Sequence, residues 1–152
     1  MISERLRKCV QSGLSVIVAT ADSERVPATC RAVAMKTNDD FETITVYIPA
    51  ATSHETMANI ATTRRLAVAC SEVSTHETTQ IKGVTRAVRL APKEDEPFVR
   101  ERIEAFAASL ESIGLPRHFT RRIAHWPAFA VDVTIEEVFD QTPGPKAGTP
   151  LR

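Results

Sequence analysis

The chain of 152 residues has no excess charge of either sign, with 19 Lys and Arg against 19 Asp and Glu. That balance removes the basic footprint expected of a nucleic-acid binder or of a protein drawn to an acidic membrane surface. Long hydrophobic runs are missing as well. The longest wholly apolar stretches are only a few residues, too short to span a bilayer. The opening Met1-Ile-Ser-Glu-Arg-Leu-Arg-Lys8 is charged and lacks the apolar region of a signal peptide, so a cytoplasmic location is expected. Cysteine is scarce: Cys9, Cys30 and Cys70 are odd in number and form no CxxC pair, which fits free thiols in a reducing compartment. His54, His76, His118 and His125 show no HxxxH or Cys/His ligand spacing, so no metal is expected and they read as surface residues. Spacing supports no Ser-His-Asp or Cys-His nucleophile.

What is present is one domain over residues 1–141, long enough for a core of its own, and a tail over 142–152 rich in Pro and Gly. The chain is organised around Val26 to Ile48, two strands joined by Asn38-Asp39-Asp40. The first strand carries Arg31 among small and apolar residues and ends at Lys36. The second alternates, with Ile44, Val46 and Ile48 on one face and Thr43, Thr45 and Tyr47 on the other. Thr52-Ser53-His54-Glu55 then opens a helix. A cationic strand residue, an aromatic strand end and a hydroxyl-rich helix start are what a phosphate-bearing ligand needs.

Around that stretch the pattern predicts mostly strands. Ser3 caps a short helix stopped by Gly13. Strand 14–20 forms an antiparallel hairpin with strand 26–36 across the turn Ala21 to Arg25. Thr52 and Glu55 have the capping-box spacing for a helix over 53–62, with Met57 and Ile60 inward. Strand 66–70 is a continuous small-apolar run, expected to be buried on both faces. Strand 78–90 contains Gly83, the sign of a bulge or a close approach to the backbone. Asp95 and Pro97 start the longest helix, 95–113, with Val99, Ile103, Phe106, Leu110 and Ile113 spaced at three and four. A second short helix over 117–124 and a last strand over 128–139 follow, and the tail forms no regular structure. Several strands joined mostly by short turns, with peripheral helices, predict a closed or nearly closed antiparallel barrel.

Arg31-Ala-Val-Ala-Met-Lys36 resembles the Arg-x-Val-x-x-Lys strand of the pyridoxamine 5′-phosphate oxidase-like flavoproteins, which have the FMN-binding split β-barrel fold. Val46-Tyr47, Thr52 to Ile60, Gln80-Ile-Lys-Gly83 and Ile123-Ala-His-Trp126 resemble that family's following segments in order and spacing, over roughly Leu14 to Phe139. The resemblance implies a mainly β split barrel, a homodimer and FMN held between subunits. It implies FMN contacts from the strand residues Arg31, Ala32, Val33, Ala34 and Lys36, with Arg31 on the phosphate. Tyr47 and Ile48 would lie along the flavin. Thr52, Ser53 and His54 would hold the phosphate at the helix start, and Gln80 would face the ring. Trp126 resembles the Trp before the family's last strand; a core or interface role is favoured for it over flavin stacking.

Two departures stand out. Ser53-His54 occupies the helix start where the fullest oxidases have Arg-Lys, and Pro127-Ala-Phe-Ala replaces the Arg-x-His run after the Trp. The expectation is therefore a flavoprotein that is not a pyridoxamine phosphate oxidase. Arg31 and Lys36 are five apart, so an unbroken strand would aim them at opposite faces unless a bulge turns Lys36 around. Arg31 without a ligand would be a surface charge, Gln80 a solvent-facing strand residue, and Thr52 and Ser53 plain helix caps. The leading expectation is an FMN-dependent oxidoreductase acting on a small organic substrate. The others are a non-catalytic FMN carrier or redox sensor, and a split barrel that binds haem or a deazaflavin.

Overall fold

One bent strand closes the sheet on itself. In the computed structural model, which describes residues 2–39 and 41–151 and omits the side chains of Ile2 and Ser3, the expected strand 26–36 is divided at Val33 into β2 (Pro27–Ala32) and β3 (Ala34–Thr37). β2 pairs with β1 (Ser15–Ala21), and β3 pairs with β4 (Thr43–Pro49). Between these edges run β5 (Arg65–Ser71), β6 (Thr78–Leu90) and β7 (Ala128–Asp140), giving the antiparallel order β2-β1-β5-β6-β7-β4-β3. The two ends of that order are consecutive in sequence, so the sheet curls into the expected barrel. Asp40 of the expected turn and the Ser3 side chain lie outside the described residues; the Ser3 backbone lies inside α1 (Ile2–Cys9), not ahead of it.

The barrel interior follows the period-two alternation of its strands. Val16 and Val18 of β1, Ile44, Val46 and Ile48 of β4, Leu66, Val68 and Cys70 of β5, and Val131, Val133 and Ile135 of β7 meet there with Leu6 of α1. On β5 only one face is buried: Ala67 and Ala69 are half-buried on the other side, against the expectation of burial on both. Gly83 sits where the register of β6 on β7 shifts. A Cβ there would stand 2.1 Å from the Thr134 carbonyl oxygen, so the glycine admits a close backbone approach.

α2 (His54–Thr63) packs on β1 and β2, with Ile60 in the interior cluster and Met57 packed against it. The longest helix, α3 (Glu96–Ser112), lies on the outer face of the sheet. Its Val99 and Ile103 join Val33, Ala34, Tyr47, Ala128 and Ala130 in a second apolar cluster. Burying such side chains contributes roughly 1.5–3 kcal/mol each, before the entropy of ordering the helix. Leu110 is half-buried and Ile113 is 56% exposed, so the apolar stripe is covered over its first three turns only. The expected helix 117–124 is a single turn, α4 (Arg117–Thr120). The tail is not wholly irregular: β8 (Thr149–Pro150) adds to the edge of β7.

Candidate functional site

The break at Val33 decides where the candidate residues go. Ala32 and Met35 point into the barrel, whereas Val33 and Ala34 both join the outer cluster under α3. Two successive residues on one face act as a bulge and shift the alternation by one. Arg31 and Lys36 therefore share the outer face, where an unbroken strand would have separated them.

Each of these cations rests on an aromatic ring of α3. The Arg31 guanidinium lies 5.1 Å from the Phe106 ring centre and donates to Ser15 Oγ at 3.0 Å. Among the described residues it has no carboxylate partner, and half-burial lowers its pKa from the ordinary value. Lys36 Nζ lies 4.4 Å from the centre of the Phe98 ring and donates to Asp95 Oδ1 at 3.0 Å. Tyr47, only 1% exposed, donates its hydroxyl to Asp95 Oδ2 at 2.7 Å and packs its ring against Phe98. Asp95, expected as the start of the helix, precedes α3 and makes no side-chain cap bond. Its carboxylate is spent on Tyr47 and Lys36 instead. Burial raises its pKa, but the bonds from Tyr47 and Lys36 outweigh that and hold it below the usual carboxylate value.

A third cation was not singled out from the sequence. Arg102 stands on α3 with its guanidinium 4.7 Å from the centre of the same Phe98 ring, and its buried Nε has no hydrogen-bond partner. The signal was present in the spacing of Phe98, Arg102 and Phe106 at i, i+4 and i+8, which lays them along one side of a helix. Of Arg31, Lys36 and Arg102, which rest on the rings of Phe106 and Phe98, only Lys36 is paired with a carboxylate, Asp95, among the described residues.

The other expected residues fall elsewhere. Ile48 and Ala32 are inside the barrel, so their side chains cannot lie along a ligand on the outer face. The Tyr47 side chain is buried beneath α3, which leaves it no free ring face for a flavin. Thr52 is exposed at the end of a short 3₁₀ turn and does not cap α2. Ser53 precedes the helix but makes no cap bond; its hydroxyl is buried and unpartnered. His54 is exposed and borders a cavity of about 320 Å³ with Pro27, Ala28 and Asn59. α2 packs against the interior side of β1 and β2, where Asn59 donates to Thr20 and Cys30 meets the interior cluster, and Arg31 is on the other face of β2. Gln80 accepts from Gln141 Nε2 at 3.3 Å. It lies in one row with Arg31 across the sheet, Arg31–Ile17–Ala69–Gln80, all half-buried on the outer face. Trp126 is half-buried against the cluster under α3, the core role favoured for it.

The fold recurs in solved structures. A putative pyridoxamine 5′-phosphate oxidase from Lactobacillus delbrueckii aligns over 91% of this chain and 93% of its own, with a TM-score of 0.57 and 16% identity. An F420 reductase aligns over 87% and 94%, with a TM-score of 0.56 and 9% identity. An FMN-binding protein from Syntrophomonas wolfei aligns over 91% and 89%, with a TM-score of 0.53 and 10% identity. The chain has the split-barrel fold. At these identities the likeness is one of fold, and the names above differ in the cofactor they imply. No protein-family profile and no curated protein matches the sequence. No helix among the described residues is long and apolar enough to cross a membrane.

Proposed function

We propose that this split barrel binds FMN, works as a homodimer, and serves as an oxidoreductase for a small organic substrate. The observation that carries the reading is Arg31. A guanidinium half-removed from water, with no carboxylate beside it, is costly unless an anion comes to it. Arg31 would hold the FMN phosphate, with the free N–H groups at the start of α2 and the unpartnered Ser53 hydroxyl as neutral donors. These residues fit a phosphate. Gln80, in the same row as Arg31, would face the ring, and Ile17 and Ala69 between them leave a face of small and apolar side chains. The same face is the one offered to a second copy of the chain, which would complete the site.

When bound, FMN supplies the redox chemistry, and the protein supplies position and electrostatics. Lys36 and Arg102, both against Phe98, would draw the anionic end of a substrate toward the seam and keep it oriented. A second reading, a non-catalytic FMN carrier or sensor, is favoured by one fact: Lys36 is already held by Asp95 and shut against Tyr47. Purified protein separates the readings. A flavin absorption spectrum that bleaches under anaerobic nicotinamide donor supports the oxidoreductase. A flavin spectrum that no donor bleaches supports the carrier, and a haem spectrum or none overturns FMN binding.

A further inference from the structure

On the interior face of the sheet, one residue along β5 from the Arg31–Ile17–Ala69–Gln80 row, two thiols meet. Cys9 is the last residue of α1 and Cys70 lies in β5; each is 3% exposed. Both belong to the interior cluster, and both line a cavity of about 220 Å³ with Lys8, Gly13, Glu72 and Ser109. Nothing in the proposed flavin site uses them. We propose that Cys9 and Cys70 are an oxidisable pair that closes to a disulfide and latches α1 onto the barrel.

The remaining ties of α1 make such a latch consequential. Leu6 is buried, but the polar contacts are part-exposed: Arg5 to Glu77 and Asp140, both 2.9 Å, and Lys8 to Glu77 at 3.1 Å. Part-exposed ion pairs of that kind contribute little to stability. A covalent bond between residues 9 and 70 would instead close a long loop, where a disulfide constrains the unfolded chain most.

The oxidant is a hydroperoxide small enough to enter the cavity. Cys9, at the end of α1, is taken as the sulfur that attacks; contact with it and burial raise the pKa of Cys70. The O–O bond breaks as Cys9 becomes a sulfenic acid, and the departing oxygen leaves as an alcohol, or as water when the oxidant is hydrogen peroxide. Cys70 sulfur then attacks Cys9 sulfur; the S–S bond forms, the S–O bond breaks, and water leaves with the Cys70 proton. Two thiols lose two electrons and one peroxide gains them.

Fully reduced protein treated with hydrogen peroxide tests this. Thiols counted in denaturant should fall from the three of the sequence to one. A non-reducing peptide map should join the Cys9 and Cys70 peptides, and reductant should restore all three thiols. The thermal midpoint should rise by about 5 °C or more on oxidation. Cys30→Ser should cross-link as the wild type does, and Cys9→Ser should show neither link nor rise. Should Cys9→Ser not fold, the wild-type peptide map decides alone. The proposal is overturned if Cys9 and Cys70 stay free while Cys30 reacts, if they pass to sulfinic acids without joining, or if the only disulfides are between chains.

Discussion

The Tyr47 hydroxyl donates to the Asp95 carboxylate at 2.7 Å, tying the end of β4 to the start of α3. The same carboxylate takes the Lys36 ammonium, so three groups from two strands and a helix share one knot above the second apolar cluster. That knot ties the start of α3 to the outer face.

Its titration should be visible in stability. Burial and the Asp95 bond raise the Tyr47 pKa above its usual 10.0. Burial alone would lower Lys36, but the Tyr47 and Asp95 contacts outweigh it and raise the ammonium above 10.5. A group whose pKa is higher in the folded chain lends stability below its unfolded value and loses it as pH rises through the folded value. Asp95 runs the other way: its pKa is depressed below 3.8, so its contribution is present above that value and lost in acid. The thermal midpoint should fall both above about pH 10 and below about pH 4, and Asp95→Asn should flatten both limbs. Unfolding followed from pH 3 to 11 in wild type and Asp95→Asn checks this. Identical profiles would mean the knot does not couple to folding.

Gly83→Ala should destabilise through crowding alone. Its new Cβ would meet the Thr134 carbonyl oxygen at 2.1 Å and Val133 Cγ1 at 2.8 Å, both parts of the paired strand. Overpacking of a well-filled site costs about 1–3 kcal/mol, and a rigid backbone neighbour pushes toward the upper end. Denaturant unfolding measures it, and a change below about 0.5 kcal/mol would show that β7 can yield there.

A homodimer is expected at micromolar concentration, because the half-buried outer row from Arg31 to Gln80 and the uncovered end of α3, with Ile113 56% exposed, leave apolar surface open. Light scattering that finds a stable monomer with flavin present would remove the partner from the account.

Much of this fold was legible in the sequence, for a physical reason. Strands read from alternation, as in Thr43 to Ile48. The helix over Val99, Ile103 and Phe106 read from its spacing. The split at Val33 was harder: a single residue out of step leaves no mark among small apolar neighbours, yet it brings Lys36 round to the face of Arg31. Ser53 looked like a cap and Asp95 like the start of a helix; the Ser53 hydroxyl has no partner, and the Asp95 carboxylate takes Tyr47 and Lys36. A cap is a local possibility, and the Tyr47 and Lys36 partners that claim Asp95 lie 48 and 59 residues away. The site is therefore less legible than the barrel, since its contacts are set by how α3 docks.

Arg31 tests the central claim most directly. A hydrogen bond to a charged group is worth about 1.5–3 kcal/mol, so Arg31→Ala should weaken FMN binding by roughly ten- to a hundredfold. Riboflavin has no phosphate, and its affinity should change far less. Lys36→Ala should cost distinctly less FMN affinity than Arg31→Ala, because its charge already answers to Asp95. The measurement is a fluorescence titration of wild type and both variants with FMN and with riboflavin. A large loss for Arg31→Ala with FMN and a small one with riboflavin is the predicted result; equal, small losses with both would contradict it and return Arg31 to a structural charge.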